Sequence, residues 1–198
     1  MNSVVQKVAR LGVAASLLAV AGCASLPDAP VGPLQSVHQS RTLHVAAHKD
    51  FDPSRYDGLV LGTVRLRSVA ATGAEAEDRQ AQLAMRDALA QRLAPLLSGS
   101  AEKGLRMDVE LYDIRPVEPA LNVLSTVALL LPLDRGALTV EAVFRDPDGK
   151  IQVQRTQRLS GSVTDVGNGF SRYGRLNVAL NDWVSRCKSW TQCMMAPD

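Results

Sequence analysis

The stretch Ala137-Leu138-Thr139-Val140-Glu141-Ala142-Val143-Phe144-Arg145, followed by Asp146-Pro147-Asp148-Gly149 and then Lys150 to Leu159, decides the fold class. Leu138, Val140, Ala142 and Phe144 recur at every second residue, the period of a strand with one face turned inward. Pro147 and Gly149 suit positions i+1 and i+3 of a type I turn. The run from Lys150 to Leu159 then returns as an antiparallel partner. Its outer set, Gln152, Gln154, Thr156 and Arg158, is polar, which predicts a hairpin with one wet side.

Working outward from this hairpin, Thr42 to Ala47 and Leu59 to Val69 read as earlier strands, separated by the turn-rich segment Asp50 to Gly58. Leu105 to Val117 is another strand, with Met107, Val109 and Leu111 alternating against Asp108, Glu110 and Tyr112. Thr72 and Glu75 form a capping box that opens a helix reaching about Ala94. Met85, Leu89, Leu93 and Leu96 lie on one stripe of it, Arg79, Asp87 and Gln91 opposite, and Pro95 ends it. A last helix runs from about Gly174 to Lys188, with Leu176, Leu180, Trp183, Val184 and Cys187 as its apolar stripe. Strand, strand, helix, strand, hairpin, helix predicts an α+β domain. Its mixed, mostly antiparallel sheet has about five strands, with two helices packed on one face.

The amino terminus follows a different rule. Lys7 and Arg10 precede an unbroken apolar run from Leu11 to Ala21, closed by Gly22 and Cys23. A cationic start, a short apolar segment and small residues at the cut make a secretory signal, too short to span a bilayer. The ending Val20-Ala21-Gly22-Cys23 resembles a bacterial lipobox, which implies cleavage after Gly22 and acylation of the Cys23 thiol. Residues 1–22 are then a signal peptide. Residues 23–41 are the lipidated cysteine and a flexible tether kept extended by Pro27, Pro30, Gly32 and Pro33. Residues 42–198 form a single domain.

Loss of the signal removes Lys7 and Arg10 from the 22 basic residues and leaves them equal in number to the 20 acidic ones. A neutral domain is a poor partner for nucleic acid, and an aromatic content of 4% leaves little stacking surface for bases or sugars. Of three cysteines, Cys23 is assigned to lipid. Cys187 and Cys193 remain as an even pair, which in an oxidising periplasm reads as a disulfide. The loop between them is short, so the closure entropy it contributes is small.

Four groups of residues are candidates for chemistry or contact. His44 and His48 share a face of one strand, with His38, Asp50 and Asp52 near in sequence. They are either a periplasmic metal site or exposed imidazoles on a polar strand. No Gly-x-Ser-x-Gly elbow accompanies any serine. Gly167 to Gly174, with Arg172 and Arg175, precedes a helix but matches no usual phosphate-loop spacing. Ala120 to Leu133 carries Leu121, Val123, Leu124, Val127, Leu129, Leu130, Leu131 and Leu133 without a charge. Too short for a span, it is either a buried segment or an apolar surface that docks a partner or dips into the membrane. Pro116, Pro119 and Pro132 bracket it, as for an excursion from the sheet.

The lipobox, the segment Asp52-Pro53-Ser54-Arg55-Tyr56-Asp57-Gly58 leading into Leu59-Val60-Leu61-Gly62, and Ala142 to Lys150 form a pattern over most of residues 40–188. It resembles small bacterial envelope lipoproteins whose domain has no assigned function, themselves similar in fold to TolB amino-terminal-like and curli-assembly-like periplasmic domains. The glycine-rich stretch such relatives often carry before the hairpin is replaced here by Ala120–Leu133. The resemblance brings no activity, cofactor or catalytic residue. It implies a non-enzymatic lipoprotein, an accessory or scaffold in envelope assembly, transport or maintenance, with an envelope protein as partner and no cofactor. Ala24 after the lipidated cysteine is not the Asp associated with inner-membrane retention, which favours the outer membrane with the domain facing the periplasm. The alternative is a metal- or small-ligand-binding module using His44, His48 and the nearby acids.

Overall fold

The computed structural model describes residues 33–67, 76–129, 134–162 and 171–195. The signal, Cys23, the capping box at Thr72–Glu75, Leu130–Leu133, Gly167 and Gly169 lie outside them. The side chains of Leu121, Leu124 and Leu129 are likewise not described.

In chain order the elements are β1 (Leu34–Gln39), β2 (Leu43–His48), β3 (Leu59–Leu66), α1 (Ala76–Leu93), β4 (Leu105–Arg115), α2 (Pro119–Leu129), β5 (Ala137–Arg145), β6 (Ile151–Ser160), α3 (Gly174–Arg186) and α4 (Trp190–Met195). The strands form one six-stranded sheet in the order β1-β2-β6-β5-β4-β3. β3 and β4 pair in parallel and every other neighbour is antiparallel. A parallel pair needs a crossover, and α1 is part of it. The fold is α+β, as the residue pattern indicates, with a sixth strand and two further helices.

The hairpin forms as its turn residues require. Gly149 N–H donates to the Asp146 carbonyl at 2.9 Å and Asp146 N–H to the Lys150 carbonyl at 3.0 Å. Gly149 has φ +83°, in the region glycine enters without strain. Leu138, Val140, Ala142 and Phe144 of β5 face the same side as Val153 and Leu159 of β6, Met107, Val109 and Leu111 of β4, and Leu43 and Val45 of β2. Met85, Leu89 and Leu93 from α1 and Leu176, Leu180, Trp183 and Val184 from α3 close over them. Burial of each large apolar side chain contributes about 1.5–3 kcal/mol. Cys187 and Cys193 are at disulfide distance and fold α4 back onto β6, putting Cys193 and Met194 into the same core.

Three expectations are corrected. The tether does not extend to residue 41: Leu34–Gln39 pairs with β2, and Leu34 is buried. An edge strand is held by backbone hydrogen bonds, so a mostly polar sequence leaves no period-two signature. The strand starting at Leu59 ends at Leu66 rather than Val69. The outer side of β6 is not uniformly wet. Gln152 and Thr156 are buried, because β6 lies inside the sheet with β2 and β5 on its flanks. Register breaks at Val37 in β1 and between Leu61 and Val64 in β3 interrupt both edges of the sheet. Such irregularity twists an edge and discourages pairing with another chain.

Candidate functional site

The sheet face away from α1 and α3 carries a network of paired charges. Arg67 bonds Glu110 and, at 2.8 Å, Glu141, while its guanidinium lies 4.1 Å from the centre of the Tyr112 ring. Glu141 also accepts from Gln154 at 2.6 Å. Asp113 takes Arg115 at 3.1 Å and Arg158 at 3.3 Å. Asp108 accepts from Thr63 N–H at 2.9 Å and Arg106 at 3.0 Å, with Arg145 at 3.5 Å. Each of these arginines faces a carboxylate, so this face offers a phosphate no unpaired guanidinium among them.

Burial alone would raise the Asp108 carboxyl, but the hydrogen bonds from Arg106 and Thr63 outweigh it and hold the group below its ordinary value. The unfolded carboxyl titrates at about 3.9. With the folded value lower, Asp108 stabilises the fold above about pH 4, and that contribution is lost as pH falls through the folded value. Asp108→Asn is therefore expected to be less stable than wild type at pH 7, with the gap closing towards about pH 3. Urea melts at both pH values measure this; a gap independent of pH would show that the carboxylate charge is not what matters.

His44 and His48 lie on one face of β2, but the structure does not bring them to a common point. Four residues of strand separate them by about 13 Å, several times a metal–ligand bond. His48 Nδ1 accepts from Asp50 N–H at 3.3 Å. His44 is 7% exposed, and its Nε2 has no hydrogen-bond partner. Among the described residues no three His, Cys, Asp or Glu side chains are placed to share a metal ion. A depression of about 180 Å³ beside Tyr56, Lys103 and Asp146 mixes both charge signs and is lined by none of the histidines.

The apolar tract is where the fold departs most from a soluble pattern. Pro119 opens α2, a position where its missing N–H costs nothing, and the helix carries no charged residue. Asn122 is fully buried: its Nδ2 donates to the Asp134 carbonyl at 3.0 Å, and its Oδ1 accepts from Asp134 N–H at 2.7 Å. The Asp134 carboxylate accepts from Glu118 N–H at 2.6 Å and Gly136 N–H at 3.1 Å. Arg175, fully buried at the start of α3, donates to the same Asp134 carbonyl at 2.7 Å. Gly161 lets this arginine pass, since a Cβ there would stand 2.6 Å from Arg175 Cβ. Among the described side chains of α2, the inward contact is thus the polar Asn122, while Val123 is 52% exposed and Val127, one turn on, 79%.

Sequence reading singled out the tract but neither Asn122 nor Asp134, whose spacing has no periodicity to betray it. It missed Arg155 as well. Of the described residues in the Gly167–Gly174 candidate, Arg172 bonds Asp78 at 2.8 Å. No helix among the described residues is long and apolar enough to cross a membrane.

No family model matches the chain, and no curated protein sequence matches it. The resemblance to envelope lipoproteins is carried by the lipobox and the turn motifs alone.

Proposed function

We propose that this chain is a non-enzymatic lipoprotein, held by acylated Cys23 in the outer membrane with its domain in the periplasm, and that it works by binding as an accessory or scaffold of the envelope. The observation that supports binding is α2, a helix fastened by a buried asparagine and presenting valines to solvent. Two valines held outward on one helix offer a partner an apolar contact. The charge-paired sheet face agrees with a role that does not require a polyanion. The histidine pair supports no metal reading, since the two rings stand apart.

The anchor is tested by metabolic labelling with an alkyne fatty acid, followed by density-gradient separation of the membranes. Labelled wild-type protein is expected in the outer-membrane fraction, and Cys23→Ser is expected to lose the label. Label that persists in Cys23→Ser, or wild-type protein that carries none, sinks the lipoprotein reading.

A further inference from the structure

We infer that α4 is a redox-latched lid. With the Cys187–Cys193 bond formed it covers Arg155 of β6, and with the bond reduced it lifts and admits water to the guanidinium. That the latch closes in an oxidising compartment rests on the secretory reading of the signal; the two states of the lid do not.

What lies under α4 differs from what lies under the other helices. α1 and α3 bring whole apolar stripes to the core, whereas α4 contributes only Cys193 and Met194 as buried side chains. Its backbone meets a charge instead: the Gln192 and Cys193 carbonyls both accept from Arg155 at 3.3 Å. On the helix-covered face of β6 the buried polar side chains are Arg155 and Gln157, themselves joined at 2.7 Å. Lifting a helix off hydrocarbon exposes that hydrocarbon to water, which is costly. Lifting it off a guanidinium lets water replace the lost carbonyls, which offsets part of the cost. α4 is therefore the cover of this core that opens most readily.

A helix of six residues is too short to persist alone. Its seat is fixed from one side. Cys187 caps α3, its N–H donating to the Val184 carbonyl at 2.9 Å, so the bond pins Cys193 to a set point of the domain. Release of a crosslink of this span favours the open chain by about 40-fold.

The opening step needs a dithiol donor. One donor thiolate attacks a protein sulfur, a mixed disulfide forms, and the donor's second thiol displaces the sulfur that remains bonded. Two electrons and two protons pass to the protein, the donor leaves as its own disulfide, and Cys187 and Cys193 end as thiols. Both cysteines are buried while α4 is seated. The donor therefore enters only when the lid lifts, and α4 gates its own reduction.

The test treats the full chain, purified in mild detergent, with the arginine reagent phenylglyoxal before and after equilibration with dithiothreitol. Labelling of Arg155 is read by mass spectrometry. Reduction is expected to speed that labelling by on the order of 40-fold. Amide exchange of residues 190–195 should rise with it, while β5 and α1 keep their protection. Reoxidation with oxidised glutathione should restore both slow rates. A Cys187→Ser/Cys193→Ser variant should label at the fast rate with or without dithiothreitol. Three results overturn the inference: Arg155 labelling unchanged by reduction, a bond that dithiothreitol leaves intact in the folded chain, or loss of protection throughout the sheet. Each makes the bond a fixed brace of the core. Fatty-acid labelling reports the anchor separately, so wild type without the label discards the lipoprotein reading and leaves the lid standing.

Discussion

Arg155→Ala is expected to cost the domain about 3 kcal/mol, a large share of a net stability of about 5–15 kcal/mol. Arg155 is 2% exposed on the helix-covered face of β6. Its guanidinium donates to the Gln192 and Cys193 carbonyls at 3.3 Å and to Gln157 Oε1 at 2.7 Å. Hydrogen bonds from a charged group contribute about 1.5–3 kcal/mol each, and a buried acceptor left alone costs about 1–3 kcal/mol. Truncation also opens a hole where the stem packed. A shift in melting temperature of about 6–12 °C follows for a domain of this size. Because two of the acceptors belong to α4, the loss should be local as well as global. Amide exchange in residues 190–195 is expected to speed up, and the Cys187–Cys193 bond to become easier to reduce. Arg155→Met, which keeps the stem, should recover part of the loss. A melting temperature within about 1 °C of wild type would show that the arginine does not hold α4.

Asn122→Ala and Val127→Asp are expected to behave oppositely, though the sites are little more than one helical turn apart. Asn122→Ala leaves Asp134 N–H without its partner and removes one donor from the Asp134 carbonyl, so it should cost about 2 kcal/mol. Exchange of α2 amides should accelerate as the helix comes off its socket. Val127→Asp adds a charge to an exposed position and should change folding stability by no more than about 0.5 kcal/mol, while removing partner capture. Chemical denaturation of the two variants side by side decides the matter. If Val127→Asp destabilises the domain as much as Asn122→Ala does, the valine belongs to the core and α2 is not a contact surface.

The elements that could be read before the fold was seen are those whose signal is local. Leu138 to Phe144 alternate and Gly149 turns the chain, so the hairpin is written in adjacent residues. Met85, Leu89 and Leu93, like Leu176, Leu180 and Val184, recur at helical spacing. In each case the stripe read from spacing is the one that faces the core. Cys187 and Cys193 are separated by only six positions and meet as expected. The elements that could not be read depend on distant residues. β1 exists because β2 offers it backbone partners, not because its own side chains alternate. Gln152 and Thr156 look exposed in a strand taken alone and are buried once two flanking strands are added. The histidines share a strand face as anticipated, yet the rise of a strand keeps them too far apart to act together.

Local patterns are enough for an α+β domain built on one hairpin, with two amphipathic helices on its sheet and a paired tail, because periodicity and turn chemistry act over a few residues. That Asn122 of α2 and Arg155 of β6 are interior follows from contacts made across the fold. Asn122 finds its partner at Asp134, and Arg155 finds its partners near Cys193. Both are pairings of polar groups that must be satisfied once buried, and no local pattern announces them.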